Sequence, residues 1–220
     1  GRARARPLNA DVRPHMPTDV AQFKQQLGAE LSDALGHNYT HLRSRHELRQ
    51  MTGDDRNVVI ISTSSKYSPF VTVAFYFGRN FAKAREIEKL MDIHKMPHHI
   101  SQFSYNSRHL KGLSYDGPDR WEVDIRNPPK KLVREMASAV TGMAVPFFER
   151  FASITAARDA IAKDDPWCFG GPWFWPQLLT LDLALGDLNH FERWSAGLDA
   201  FYRDQAAERI RKWRALPCAV

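Results

Sequence analysis

The chain has 220 residues, 43% hydrophobic and 25% charged, ordinary globular values that exclude wholesale disorder and allow a sizeable core without disulfide or metal staples. Its formal charge is +6, but four arginines against one aspartate within residues 1–15 hold half of that excess, leaving +3 for the remainder and only a weak argument for a nucleic-acid partner. No apolar run approaches the ~18 residues of a membrane span, no charged-then-apolar leader marks secretion, and Cys168 and Cys218 form no CxxC pair, so a reducing, cytoplasmic setting without membrane association is expected.

Residues 1–15, GRARARPLNADVRPH, alternate Arg with Ala and show no apolar period; they read as an appended leader, with His15 and Met16 resembling a cloning scar and Met16 as the expected native start. Residues 16–130 then read as a helix plus an antiparallel sheet, and residues 131–220 as a helical subdomain packed on it. In the first helix Val20, Phe23, Leu27, Leu31 and Leu35 recur at steps of three and four, behind Thr18 as the predicted N-cap and ahead of Gly36 as the stop. NYTHLRSRHELRQM, NVVIISTSSKYS and FVTVAFYFG follow as three strands of a meander separated by turn residues. After a short helix through AKAREIEKLM, the stretches HHISQFSYN and RWEVDIR supply two more strands.

From residue 131 the periodicity is helical. KKLVREMASAVTGMAVPFFERF carries Leu132, Met136, Val140 and Met143 on one stripe, and Pro146, which cannot donate to Gly142, predicts a kink or break. Ser153 is the predicted cap of the next helix. Pro176 opens and Gly186 closes another. Leu188, Phe191, Trp194, Leu198 and Phe201 predict one amphipathic helix, and Ala206, Ile210 and Trp213 a last one. The fold class is therefore α+β, an antiparallel sheet of about five strands with flanking helices and a C-terminal all-helical subdomain.

Chemistry-bearing motifs fail on inspection. HELRQ has Gln50 where a zinc-protease motif needs its second His, Pro97 argues against a helical His94/His98 metal pair, and there is no P-loop, dinucleotide fingerprint or GxSxG elbow. Adjacent Asp164 and Asp165 read as a helix-end acidic pair. No catalytic residue, metal or cofactor is assigned. Two surfaces remain as candidates for a partner. Read as one strand, Tyr39, His41, Arg43, Arg45 and Glu47 share a face, a mostly basic strip that suits an acidic protein or phosphate, although a charged edge that blocks aggregation is the plainer reading. DDPWCFGGPWFWPQ gathers Trp167, Trp173 and Trp175, either a stacking surface or a hydrophobic wedge between helices; burial of large aromatics favours the wedge.

The order helix, polar strand, NVVIISTSSKY, FVTVAFYFG, Trp121 on a late strand, PFFERFASITAARDAI and a closing helical pair with LALGD resembles an uncharacterised bacterial family known only as a domain of unknown function, over most of residues 19–216. The resemblance implies a small cytoplasmic protein, with some members beside secreted-toxin genes, and hence a non-enzymatic interaction module of the immunity-protein kind whose partner is a toxin domain. The alternatives are a nucleic-acid-associated protein using the basic strip together with exposed aromatics, and an enzyme of unknown class in which His41, His94 or His98 meets a carboxylate.

Overall fold

The structure is a computed structural model that describes residues 19–36, 38–67, 69–91, 98–104, 110 and 115–217. The leader, Thr18, His94 and Cys218 lie outside the described residues. Helix α1 (Val20–Leu35) starts one residue later than the predicted cap: Asp19 accepts the N–H of Gln22 at 2.7 Å. It buries Phe23, Leu27 and Leu31, as the spacing requires.

Among the described residues the sheet is antiparallel with six strands: β1 (Thr40–Leu42), β2 (Glu47–Thr52), β3 (Asp55–Tyr67), β4 (Phe70–Asn80), β5 (Ile100–Phe103) and β6 (Arg120–Asp124). The sixth strand arises because NYTHLRSRHELRQM is not one strand. It folds into a hairpin whose connection is a 3-10 turn, Arg43–Arg45, closed by His46 in the left-handed region at φ 51°. β1 to β5 follow one another across the sheet, while β6 shares the outer edge of β4 with β5. β5 covers Tyr76 to Arg79 and β6 covers Phe70 to Ala74, so the two short strands lie end to end. Ser104 stitches the gap between them, its hydroxyl accepting from Phe75 N–H at 3.0 Å and donating to Asp119 O at 2.6 Å.

The alternation of β4 sorts the two faces of the sheet. Val71, Val73, Phe75 and Phe77 face the helices with Val59 and Ile61 of β3 and Trp121 and Val123 of β6, and all are buried. α1 and the helix α3 (Leu132–Ala139) pack together on this layer, joined by Phe147 and Phe148. On the opposite face Tyr76, Gly78 and Asn80 meet His98, Phe103 and Phe169. Helix α2 (Ala82–Leu90) follows β4 directly.

Pro146 does not break its helix. The run continues from α3 through a π-turn, Val140–Ala144, in which Val145 N–H donates to Val140 O, into α4 (Val145–Arg150) with Pro146 in its first turn. The wider turn supplies the one-residue offset that a missing donor and a bulky ring demand. Helix α5 (Ile154–Ala162) is capped by Ser153, whose hydroxyl accepts Ala156 N–H at 3.1 Å. Helix α6 (Trp175–Leu185) begins with Pro176 and ends at left-handed Gly186, φ 74°. α6 is buried almost all round, against α2 and α5, which is why its sequence lacks a polar stripe.

The predicted Leu188–Phe201 helix is two helices, α7 (Leu188–Ser195) and α8 (Ala200–Arg214). Asp199 caps the second by accepting Tyr202 N–H at 3.1 Å. Leu198 stays in the core, but Phe201, read from sequence as the end of the apolar stripe, is 68% exposed. Among the described residues no helix is long and apolar enough to cross a membrane.

Candidate functional site

The basic strip does not exist as a strip. Tyr39 is buried with its hydroxyl lacking a hydrogen-bond partner, and burial pushes that hydroxyl up to about 12. His41 is half-buried over Gly28, whose bare Cα leaves room for the imidazole, and is held below its ordinary value by burial and then by Arg43. Arg43 and Arg45 stand exposed on the 3-10 turn, and Glu47 lies beyond it, buried against Arg49 at 2.8 Å. What remains is an exposed two-arginine turn at the β1 edge.

The three tryptophans separate as well. Trp175 starts α6 inside the core, and Trp167 is half-buried beneath the Arg150 guanidinium at 5.1 Å from its ring centroid. Both act as wedges. Asp165 holds this turn together, accepting from Trp167 N–H at 2.8 Å and from Arg150 at 2.7 Å, while Asp164 adopts the left-handed region at φ 54°. The segment also closes the edge of β5: Phe169 N–H donates to Ser101 O at 3.0 Å and Gln102 Nε2 donates to Pro166 O at 3.2 Å. Cys168, within it, is buried, and desolvation followed by Asp165 and Asp164 pushes its thiol up to about 12. It should resist a disulfide reagent at neutral pH until the chain is unfolded in urea, which a timed thiol titration on a Cys218→Ser background would read.

Trp173 behaves differently. It is 74% exposed, with its ring 5.3 Å from that of Tyr202, whose ring also lies 5.2 Å from that of Phe201. The three rings form a ledge at the start of α8, with two large apolar side chains open to solvent. Trp173 was read from sequence within the tryptophan cluster; Phe201 was missed. The signal that could have found it is SAGLD, in which Gly197 and a capping Asp199 end one helix and begin another, shifting the phase of every later residue.

Ledge and basic turn are not brought together. The segment that leads to Trp173 docks on the β5 edge, whereas Arg43 and Arg45 flank β1, four strand spacings and about 19 Å across the sheet. No family model, curated protein or solved structure matches the chain.

Two further groups of buried polar residues contain histidine. Asp182 is fully buried in the apolar helix α6, where both its oxygens accept from His190 Nδ1, at 3.0 and 2.9 Å, and Arg158 lies at 3.6 Å. Burial pushes its carboxyl up from the ordinary range, opposed by the His190 hydrogen bond and by the His190 and Arg158 charges. Arg158 also meets Asp159 at 2.8 Å and the α7 cap Asp187 at 3.2 Å, so the group ties α5, α6 and α7 together. At the other end of the sheet His98 and His99 are buried separately. His99 accepts Phe81 N–H at Nδ1 and has Nε2 3.2 Å from Glu88, without an aligned hydrogen bond there. His98 lies over Gly78 with Nδ1 3.3 Å from Asn80, and desolvation followed by the charge of His99 lowers it to about 3. Of the histidines proposed for an active site, neither His41 nor His98 has a carboxylate partner among the described residues; the His–carboxylate pairs are His99 with Glu88 and His190 with Asp182.

Proposed function

We propose that the chain is a non-enzymatic protein-interaction module, an immunity-type protein that binds and neutralises a toxin domain through the ledge of Trp173, Tyr202 and Phe201. The observation that carries this reading is the exposure of Trp173 and Phe201, 74% and 68%, each against the ring of Tyr202. Leaving such rings in water forgoes about 1.5–3 kcal/mol of burial each, and aromatic side chains dominate the energetics of protein interfaces. The nucleic-acid alternative requires its aromatic and basic groups on one continuous surface, whereas the segment that leads to Trp173 docks at β5 and Arg43 and Arg45 flank β1.

Co-purification of the full chain with a toxin domain encoded beside it tests the reading. Trp173→Ala and Phe201→Ala are each expected to weaken the complex by about 2 kcal/mol, roughly thirtyfold, with little change in the thermal midpoint because neither ring is buried. Full affinity in the double variant would remove the ledge from the interface. Absence of any complex with the unaltered chain would sink the immunity reading itself.

A further inference from the structure

Three arginines gather where the β2–β3 turn meets the start of α2. Arg56 stands opposite Met51 of β2 and Asn80 of β4, and Arg49 is its diagonal neighbour, so both project from the sheet face that turns away from the main core. Arg85 reaches the same end from α2, its Nη1 donating to Asn80 O at 3.2 Å and its Nη2 to Asp54 O at 2.7 Å. Met51 beside them is 54% exposed.

Of the carboxylates at this end, Glu47 engages Arg49, and Asp55 and Glu88 are committed outside the three arginines. Glu47 holds Arg49 through one oxygen, at 2.9 Å from Nε and 2.8 Å from Nη2. Asp55 accepts from Ala82 N–H at 2.8 Å and from Arg79 at 3.3 Å, and Glu88 faces His99 at 3.2 Å. Asp54 is exposed in the turn and offers Arg85 its backbone carbonyl. Among the described residues Arg56 meets no carboxylate, and Arg85 is hydrogen-bonded only to backbone oxygens. Arg56 and Arg85 both stand at Asn80, Arg56 opposite it in the sheet and Arg85 on its carbonyl, and after burial Arg56 is the largest influence lowering Arg85, with Arg49 adding to it and Asp55 and Glu88 opposing. Next to them His98 is buried, its Nδ1 is turned to Asn80, and its Nε2 has no hydrogen-bond partner among the described residues.

Like charges held together and only partly offset by carboxylates cost stability, and a guanidinium fork matches the oxygens of a phosphoryl group in both charge and shape. We propose that this end of the sheet binds a phosphate dianion, either free or carried by a small monoester, with Arg56 and Arg85 supplying the two unmatched charges and Arg49 the third donor set. A single carboxylate would neutralise only one of the two. The site is independent of the aromatic ledge, and either can fail without the other.

The test titrates the full chain with inorganic phosphate and with glycerol 3-phosphate, against chloride and acetate at matched ionic strength, by calorimetry and thermal shift. Both phosphates are expected to bind and raise the midpoint while chloride and acetate do not. Tighter binding of glycerol 3-phosphate assigns a monoester; equal affinity assigns free phosphate. Arg56→Gln is expected to weaken phosphate binding roughly tenfold or more, with unliganded stability unchanged or raised, because the residue it removes makes no ion pair and repels Arg85. Arg56→Lys should fall between them, and a double Arg43→Gln, Arg45→Gln variant, which removes the other exposed basic pair, should bind as the unaltered chain does. The proposal is overturned by phosphate binding that Arg56→Gln leaves intact, by no binding beyond the chloride control, or by a short oligonucleotide that binds where both small phosphates do not.

Discussion

Replacing Asp182 by Ala is expected to lower the free energy of unfolding by about 3–5 kcal/mol, the cost of stripping one partner from a buried charged network. The carboxylate is fully buried, accepts twice from His190 Nδ1 and lies 3.6 Å from Arg158. With Ala in place the His190 ring loses its carboxylate partner, whereas Arg158 keeps Asp159 and Asp187, so the loss should fall chiefly on the α6–α7 contact. Asn at position 182 retains an acceptor of the same shape and should cost less, about 1–3 kcal/mol. Urea midpoints of the three proteins check the order. A double-mutant cycle with His190→Ala should return a coupling of about 0.5–3 kcal/mol, and a coupling near zero would mean that the short His190–Asp182 distances carry no energy.

Acid should destabilise the protein well above the range in which carboxylates titrate, and His98 is the reason. Its folded value lies near 3, lowered first by burial, so the native state keeps it neutral while the unfolded chain takes up a proton below about 6.5. A depressed folded value gives stability that is fully present above the unfolded pKa and is lost as the pH falls toward the folded one. Between pH 7 and pH 4.5 that loss amounts to about 2.5 kcal/mol at 1.36 kcal/mol per pH unit. His98→Gln cannot titrate. It should be less stable at pH 7, because the ring packs on Tyr76 and over Gly78, yet lose about 2.5 kcal/mol less on acidification. Parallel unfolding curves across this range for the two proteins would show that His98 is not the titrating group.

The elements legible in sequence are those whose signals are local. α1 announces itself by a stripe of Phe23, Leu27 and Leu31, α5 by the Ser153 cap, and the end of α6 by Gly186, because hydrogen-bond geometry and side-chain period act within a few residues. Alternation misleads at residues 40–52. There every second residue is polar whether the chain runs straight or reverses, and the reversal uses His46 in a left-handed conformation without a Gly, Pro or Asn to mark it. The break expected at Pro146 does not occur, since its missing donor is absorbed by the wider turn just before it.

The partner-binding candidates fared unevenly for a related reason. Trp173 and Trp175 are two residues apart and compositionally alike, yet one opens a buried helix and the other lies outside it. Nothing in the local pattern distinguishes them. Arg43 and Arg45 are exposed as expected, but the arginines that gather without carboxylates, Arg56 and Arg85, come from different elements and are 29 positions apart in the chain. A lone aspartate inside LLTLDLAL did hold information: a charge in a run that apolar must be paired, though the sequence does not say with what.

Composition and periodicity by themselves determined the α+β class, the change from sheet to helices near residue 131 and most helix limits, since burial of apolar stripes and satisfaction of backbone ends are short-range demands. Tertiary structure alone decided which tryptophan faces water, which histidines meet carboxylates and which arginines lack them. Those outcomes depend on contacts between residues far apart in the chain, where charge, desolvation and packing are settled together.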